Sequence, residues 1–495
     1  MTSWDIQWPG EGSGPVYRQI AGAIEDAIES GRIPSGARLP AIRALADQLE
    51  VNRDTVALAY ESLAGAGLVE STVGRGTFVR SLEADRVEVF EPPAVTAEVE
   101  RLLALDNARP RFGAGDGVVP MHALVPDPSL YPVDGFRKSL TRAVAEEGAD
   151  LFLYGEAQGH GGLRRVLAER YQAAGLPVTP EEIVLCHGAS QGIALALRLF
   201  ARAGDRVAIE VPTYANVLTA LASLGLESAP VAMTSSGPDL EVVNRMLAQP
   251  DVKAFYTIPT FHNPMGTTTS LAHRRALLDI ARRHGKPIIE DAFEMDLRVG
   301  GRPVSPLAAL DQDGFVVRLH SFSKSLFPGL RVGSMVARGR ALDGLVALKQ
   351  ATDLSDALLL QAALAHFIEQ GAYDRHLNRV RRALRERHAA LDAGLAENLP
   401  KGTRWTQPEG GYQVWVELPF EVDTRDLLAE ASRAGVLFAP GAQFMPDGRA
   451  SRCLRLTVAR VNPEEIKKGL AALGRVVAES AVGQGSPRPA PGMVV

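Results

Sequence analysis

Residues 320–333 read HSFSKSLFPGLRVG. One lysine, Lys324, stands among Ser321, Ser323, Ser325 and the apolar Phe322, Leu326 and Phe327, and one arginine, Arg331, closes the stretch. The apolar run FVVRLHS (315–321) that precedes it has the composition of a buried strand, so the lysine falls on a loop at a strand end. Lysines belong on wet surfaces. One placed among apolar neighbours has its pKa lowered by burial, and its free amine becomes a nucleophile able to condense with an aldehyde as a Schiff base.

Working outward, from about residue 113 apolar runs alternate with amphipathic helical patterns. The runs are EIVLCHG (182–188), RVAIEVP (206–212), AFYTIP (254–259), PIIEDA (287–292) and FVVRLHS (315–321). This alternation predicts an α/β fold with a parallel sheet sandwiched by helices. In such sheets ligands bind beyond the carboxyl ends of the strands. Candidate ligand contacts stand at those ends: the Ala189 amide and Ser190 ahead of the helical pattern GIALALRLFARAG, Tyr214 in EVPTY, Asn263 in TFHNPMG, and Asp291. The strand patterns GYQVWVELP (411–419) and CLRLTVA (453–459), the latter holding Arg455, predict a smaller C-terminal α+β unit with antiparallel strands.

A carbonyl cofactor bound to a lysine, pyridoxal 5'-phosphate, needs several partners. Its phosphate needs amides at a helix start, hydroxyls and an arginine. Its ring nitrogen needs a carboxylate, its phenolic oxygen a donor, and one ring face an aromatic. Each residue above alone is weak evidence; in this order, each beyond a strand, they form a constellation. It resembles the fold-type-I aminotransferases of the aspartate aminotransferase superfamily over about residues 113–475. The resemblance implies that Lys324 carries the cofactor, Asp291 pairs with the ring nitrogen, Asn263 donates to the phenolic oxygen and Tyr214 stacks. It also implies that Ala189, Ser190, Ser321, Ser323 and Arg331 hold the phosphate. Tyr154, in LYGEAQGHGGLR (153–164), is implied to reach the phosphate of a second subunit, and Arg455 to fork the carboxylate of an amino acid. The chain departs from the family at Phe293, where relatives carry a tyrosine that donates to the phenolic oxygen. That loss predicts weaker stabilisation of the phenolate and less efficient catalysis, with cofactor binding intact.

The front of the chain has another texture. Val16, Ile20, Ile24 and Ile28 repeat at helical spacing, and Ile42, Leu45, Ala46 and Leu49 mark a second helix. Glu50-Val51-Asn52 is a tight turn, with Asn52 as the N-cap of a third helix from Arg53 to about Leu63. Two short strands around Gly74-Arg75-Gly76 complete a winged helix. The segment LPAIRALADQLEVNRDTVALAYESLAGAGLVESTVGRGTFV (39–79) resembles the GntR-family winged helix. By that resemblance Arg43, Asn52, Arg53 and Thr55 meet bases or phosphates of double-stranded DNA at the start of the recognition helix, with Arg75 and Gly76 of the wing beside the backbone. Residues 1–80 hold seven arginines, no lysine and ten carboxylates, a net of −3. DNA-binding domains are usually basic. The clustering of Arg38, Arg43, Arg53 and Arg75 must therefore supply the local charge, and affinity is expected to be modest and salt-sensitive.

The totals fit a multidomain protein. The chain has 495 residues, 46% apolar and 22% charged, with a net charge of −5. Only Cys186 and Cys453 occur, outside any CxxC spacing, so neither a disulfide framework nor a cysteine zinc site is expected, and no metal site is assigned. No apolar stretch approaches the roughly 18 residues that span a bilayer, and the first residues lack a secretory pattern, so a cytoplasmic protein with no membrane partner is expected. The expected organisation is a DNA-binding domain at 1–80, a linker at 81–112 with helical character near 96–105, an aminotransferase-like domain at 113–479 and a disordered tail at 480–495. A winged helix joined in this way to an aminotransferase-like domain resembles the MocR/GabR-type transcriptional regulators. That implies a homodimer whose large domain binds pyridoxal phosphate and an amino acid or amine effector, and whose small domains bind an operator. Two alternatives stay open: a working aminotransferase with an auxiliary DNA-binding domain, and a regulator that senses the cofactor itself.

Overall fold

The computed structural model describes residues 4, 14–72, 75–80, 94–107 and 117–483. The chain divides into two compact units between Ala94 and Val95.

In the first unit, Ile20, Ile24 and Ile28 of the helix Val16–Glu29 pack with Leu45 and Ala46 of Ile42–Leu49 and with Val56, Ala59, Tyr60 and Leu63 of Arg53–Gly65. Val16, expected on the same stripe, is 39% exposed because it opens the helix beyond the edge of this core. Ile42 likewise starts its helix at 38% exposure. Glu50, with φ 54°, makes the turn between the second and third helices. The Asn52 side chain then accepts from the amide of Asp54 at 3.1 Å. The strands Val69–Thr72 and Gly76–Val79 pair antiparallel as the wing, and the segment 36–39 bonds to the second strand through Gly36, Leu39 and Val79. Gly74 lies outside the described residues.

The second unit is built on an eight-stranded sheet in the order Ile183–Cys186, Gly333–Val336, Val316–Ser321, Ile288–Asp291, Val252–Thr257, Arg206–Val211, Glu227–Thr234, Gly237–Pro238. The four pairings from Val316–Ser321 to Glu227–Thr234 join five parallel strands, as the alternating pattern predicts. The sheet is mixed rather than purely parallel. Gly333–Val336 runs antiparallel to both neighbours, because only a short loop joins it to Val316–Ser321 and no crossover helix intervenes. Apolar residues of both sheet faces are buried against helices. The C-terminal strands form an antiparallel sheet in which Gln413–Glu417 pairs with Cys453–Thr457. The helix Ala97–Asn107 falls in the segment expected to be a linker and packs against Ala215–Ser223 of the large unit. The helix Pro463–Gly483 continues past 479, through residues expected as tail; the rest of that tail lies outside the described residues.

Candidate functional site

Five strands end at one edge of the large sheet, and the segments beyond them meet there. The strand Val316–Ser321 delivers the turn that carries Lys324. The turn is pinned from the other side: Tyr412 donates to the Lys324 carbonyl at 2.9 Å, Tyr373 donates to Ser325 Oγ at 2.7 Å, and His376 Nε2 lies 2.9 Å from the Ser325 carbonyl. Lys324 is half-buried, and its Nζ donates to the Leu124 carbonyl at 2.5 Å. Burial holds its pKa below the usual lysine range, with Arg455 and Arg331 pulling the same way against the Glu294 carboxylate.

Asp291 is the last residue of Ile288–Asp291 and is 1% exposed. Its Oδ2 accepts from Tyr256 at 2.7 Å, on the neighbouring strand, while Oδ1 has no partner. Burial pushes its carboxyl up to about 6. Asn263 does not end a strand as expected; Val252–Thr257 stops six residues earlier, and Asn263 sits fully buried in the following loop. Its Oδ1 accepts from Arg455 Nη1 at 3.0 Å, and its Nδ2 is unpartnered. Arg455, 7% exposed, also donates to the His122 carbonyl at 2.8 Å, stacks 5.0 Å from the Phe444 ring and leaves Nε unused. Tyr214 caps the helix Ala215–Ser223, and its ring lies parallel to Phe293, centroids 6.3 Å apart and planes within 5°.

Gly188 and Arg331, from the stretches where a phosphate cradle is expected, stand side by side. With φ 80° this glycine caps the helix Ala189–Phe200. A Cβ on it would stand 3.3 Å from Arg331 Nη2, and Arg331 donates to the His187 carbonyl at 2.7 Å. Gly333 approaches the same place, its Cβ position being 3.0 Å from Gly188 Cα. Ala189 and Ser190 begin the helix, whose first amides have no acceptor within it. Ser321 and Ser323 are buried, and the Ser323 amide donates to Ser321 Oγ at 3.3 Å. Tyr154 stands apart at 86% exposure, after Phe152 at 68% and Leu153 at 66%.

Unpartnered buried polar atoms gather at this edge: Asp291 Oδ1, Asn263 Nδ2, Arg455 Nε, Glu294 Oε1 and Gln413 Oε1. Native interiors leave few such atoms, so a cluster of them marks a ligand site. An acceptor for a ring nitrogen, a donor for a phenolic oxygen, an amine and an anion cradle are together the set that pyridoxal phosphate requires, and the residues fit it. Sequence reasoning missed Tyr256, Glu294 and Gln413. Tyr256 was legible as a polar group in the buried run AFYTIP beside the Asp291 strand. Glu294 gave a signal too, as a second carboxylate just past Asp291. Gln413 and the Leu124 carbonyl gave none.

In the first unit Arg43, Asn52, Arg53 and Arg75 are exposed and Thr55 and Gly76 half-buried, all at or near the recognition helix and wing. Asn52 spends its side-chain oxygen on capping. The Arg38 guanidinium packs over Gly76, where a Cβ would stand 2.7 Å from its Nε.

Fold and site together define a pyridoxal-phosphate-type aminotransferase domain carried behind a winged helix. Comparison with known families agrees on both parts. Residues 127–473 match the aminotransferase class I and II family, and residues 16–79 match the bacterial regulatory proteins of the gntR family. The chain is 30% identical to the uncharacterized HTH-type transcriptional regulator YjiR of Escherichia coli, over 93% of this chain and 98% of that one. It is 28% identical to the probable rhizopine catabolism regulatory protein MocR of Rhizobium meliloti, over 93% of each. Among solved structures it is similar to the α-aminoadipate aminotransferase of Thermus thermophilus complexed with a phosphopyridoxyl-leucine, at 31% identity and a TM-score of 0.69, covering 78% of this chain and 96% of that one. The chain belongs to the MocR-type regulators, in which a GntR winged helix is fused to a class I and II aminotransferase domain. Among the described residues no helix is long and apolar enough to cross a membrane.

Proposed function

We propose that this protein is a transcriptional regulator that holds pyridoxal phosphate on Lys324 and adjusts operator binding when an amino acid or amine reaches that site. The cluster of unpartnered buried groups around Lys324, in a chain that also carries a GntR winged helix, supports this reading most strongly. Lys324, with its depressed pKa, is the amine for the cofactor carbonyl. Asp291 would accept from the ring nitrogen, Asn263 would donate to the phenolic oxygen, and Tyr214 would cover the ring. Arg331, Ser321, Ser323 and the amides of Ala189 and Ser190 hold the phosphate. Arg455 would bind the ligand carboxylate. When bound, the cofactor supplies an electron sink and a carbonyl that exchanges amines. The exposed run Phe152-Leu153-Tyr154 supports a homodimer in which Tyr154 serves the other subunit's phosphate.

Arg53, Arg43, Thr55, Arg75 and Gly76 form the DNA face, with Asn52 fixing the start of the recognition helix. For the ligand to act as a signal it must bind two arrangements of the dimer unequally. Phe293 favours this reading over the working aminotransferase, since no tyrosine hydroxyl assists at that position.

The test is titration of pyridoxal phosphate into cofactor-free protein, followed by visible absorbance. Wild type is expected to gain a Schiff-base band that Lys324→Ala lacks and that an amino acid alters. Repeated conversion of an amino acid and a 2-oxo acid at rates typical of transaminases would replace the regulator reading with the enzyme one.

A further inference from the structure

The face of the large sheet opposite Asp291 holds positive charge that the site at Lys324 does not use. Arg318 and Glu290 are register partners on neighbouring strands, one position before Leu319 and Asp291, so their side chains leave the sheet on the face away from Asp291. Beyond them lies a cavity of about 60 Å³ whose walls include Arg318, Glu290, Arg274, Arg298, Thr260 and Met295. Arg274 and Arg318 are each 1% exposed. Arg274 donates to uncharged oxygens, the carbonyls of Pro259, Thr269, Val304 and Ser305 and the hydroxyls of Thr260 and Thr269, at 2.7–3.5 Å. Arg318 donates to Met295 Sδ and rests against the Tyr171 ring, 5.1 Å from its centroid, while its Nε and Nη1 have no partner. The nearby Tyr171 hydroxyl, 2.7 Å from Ser334 Oγ and 3.0 Å from His320 Nδ1, brings no charge. The carboxylates of this region are already engaged. Glu290 accepts from the amides of Leu307 at 2.8 Å and Ala308 at 3.0 Å, Glu409 pairs with Arg298 at 2.6 Å, and Asp296 is taken by His320 at 3.0 Å and Arg170 at 3.6 Å. Three guanidinium groups thus stand at the cavity against Glu290 and Glu409, which leaves one positive charge buried without a counter-ion, a condition proteins avoid. Burial pulls the Arg274 pKa down to about 10; Glu290 opposes the fall, and Arg298 and Arg318 add to it.

We propose that this cavity binds a chloride-sized inorganic anion, held by the free Nε and Nη1 of Arg318. One water-sized body needs about 15 Å³ of such space, so an ion close to water in size fits with room for hydration. Water alone can accept from the free N–H groups but leaves the charge unmatched. A monatomic anion supplies both the acceptor and the counter-charge. Thr260 adds a donor, because its hydroxyl oxygen receives Arg274 Nη2 at 2.7 Å and its own hydrogen is left to turn to the ion. The site lies on the other face of the sheet from Asp291 and stands whether or not the Lys324 pocket takes the cofactor.

The experiment uses the full-length, cofactor-loaded protein, which keeps the anion cradle near Arg331 out of the comparison. Crystals grown without halide are soaked in sodium bromide, and the anomalous signal locates the ion. A peak in the cavity within hydrogen-bonding reach of Arg318 Nε and Nη1 is expected. In solution, sodium chloride replaces sodium gluconate, whose anion is too large for the cavity, at constant ionic strength. The wild-type thermal midpoint is expected to rise by about 2 °C between about 5 and 200 mM chloride and to level off as the site fills. Arg318→Met, which keeps an unbranched chain and removes the guanidinium, is expected to show no such rise. No bromide peak in the cavity, no chloride response in wild type, or a response that Arg318→Met retains in full overturns the site. If Arg318→Met does not fold, the bromide position decides, since water in the cavity gives no anomalous peak.

Discussion

Asp291 offers a prediction that needs no cofactor. Its carboxyl is raised from 3.8 to about 6, chiefly by burial and despite the hydrogen bond from Tyr256. In the cofactor-free protein the native state therefore holds a proton here that the unfolded chain has released. Between those two values the native state binds more protons than the unfolded one, so stability falls as pH rises. The shift of about two units corresponds to roughly 3 kcal/mol. Asp291→Asn keeps the Tyr256 hydrogen bond but cannot ionise. The difference in unfolding free energy between variant and wild type should thus move in the variant's favour by about 3 kcal/mol from pH 4 to pH 7. Comparing the difference at two pH values cancels the fixed cost of an amide nitrogen placed where Oδ1 is unpartnered. The assay is urea unfolding of both cofactor-free proteins, followed on the large unit. Parallel pH profiles would refute the assignment of Asp291 as a buried carboxylate awaiting a positive ring nitrogen.

Other expectations follow from single contacts. Gly188→Ala places a Cβ 3.3 Å from the Arg331 guanidinium at a φ of 80°, so the cofactor dissociation constant should rise about tenfold or more, measured by absorbance titration. Phe293→Tyr puts a hydroxyl donor beside Tyr214, and the pH midpoint of the visible absorption of the loaded protein should fall by about one unit; an unchanged midpoint would place that side chain away from the phenolic oxygen. Asn52→Ala removes the cap on the Asp54 amide and should cost the first unit about 1 kcal/mol in thermal or urea unfolding, with weaker DNA binding.

Much of the site was legible because its parts obey a local rule. Lys324, Asp291, Gly188 and Tyr214 each follow an apolar run that can only be a buried strand, and in an open α/β sheet those positions converge. Asn263 fits the rule less well, since a loop separates it from its strand. The antiparallel strand Gly333–Val336 was not legible, because its apolar composition carries no direction. Glu294 and Gln413 come together from the sheet edge and the C-terminal unit, and no spacing along the chain records that meeting. In the winged helix the stripe of isoleucines gave the core, while Val16 shows that periodicity does not say where a core ends.

The central claim is that the two units act as one switch. Its most direct measurement is binding of the full-length protein to DNA from upstream of its own gene, at physiological salt, with and without pyridoxal phosphate and an amino acid. The account predicts sequence-specific binding that Arg53→Ala abolishes, and an affinity that changes with cofactor and amino acid in wild type but not in Lys324→Ala. Binding no tighter than to unrelated DNA, or an affinity indifferent to what Lys324 holds, would contradict it.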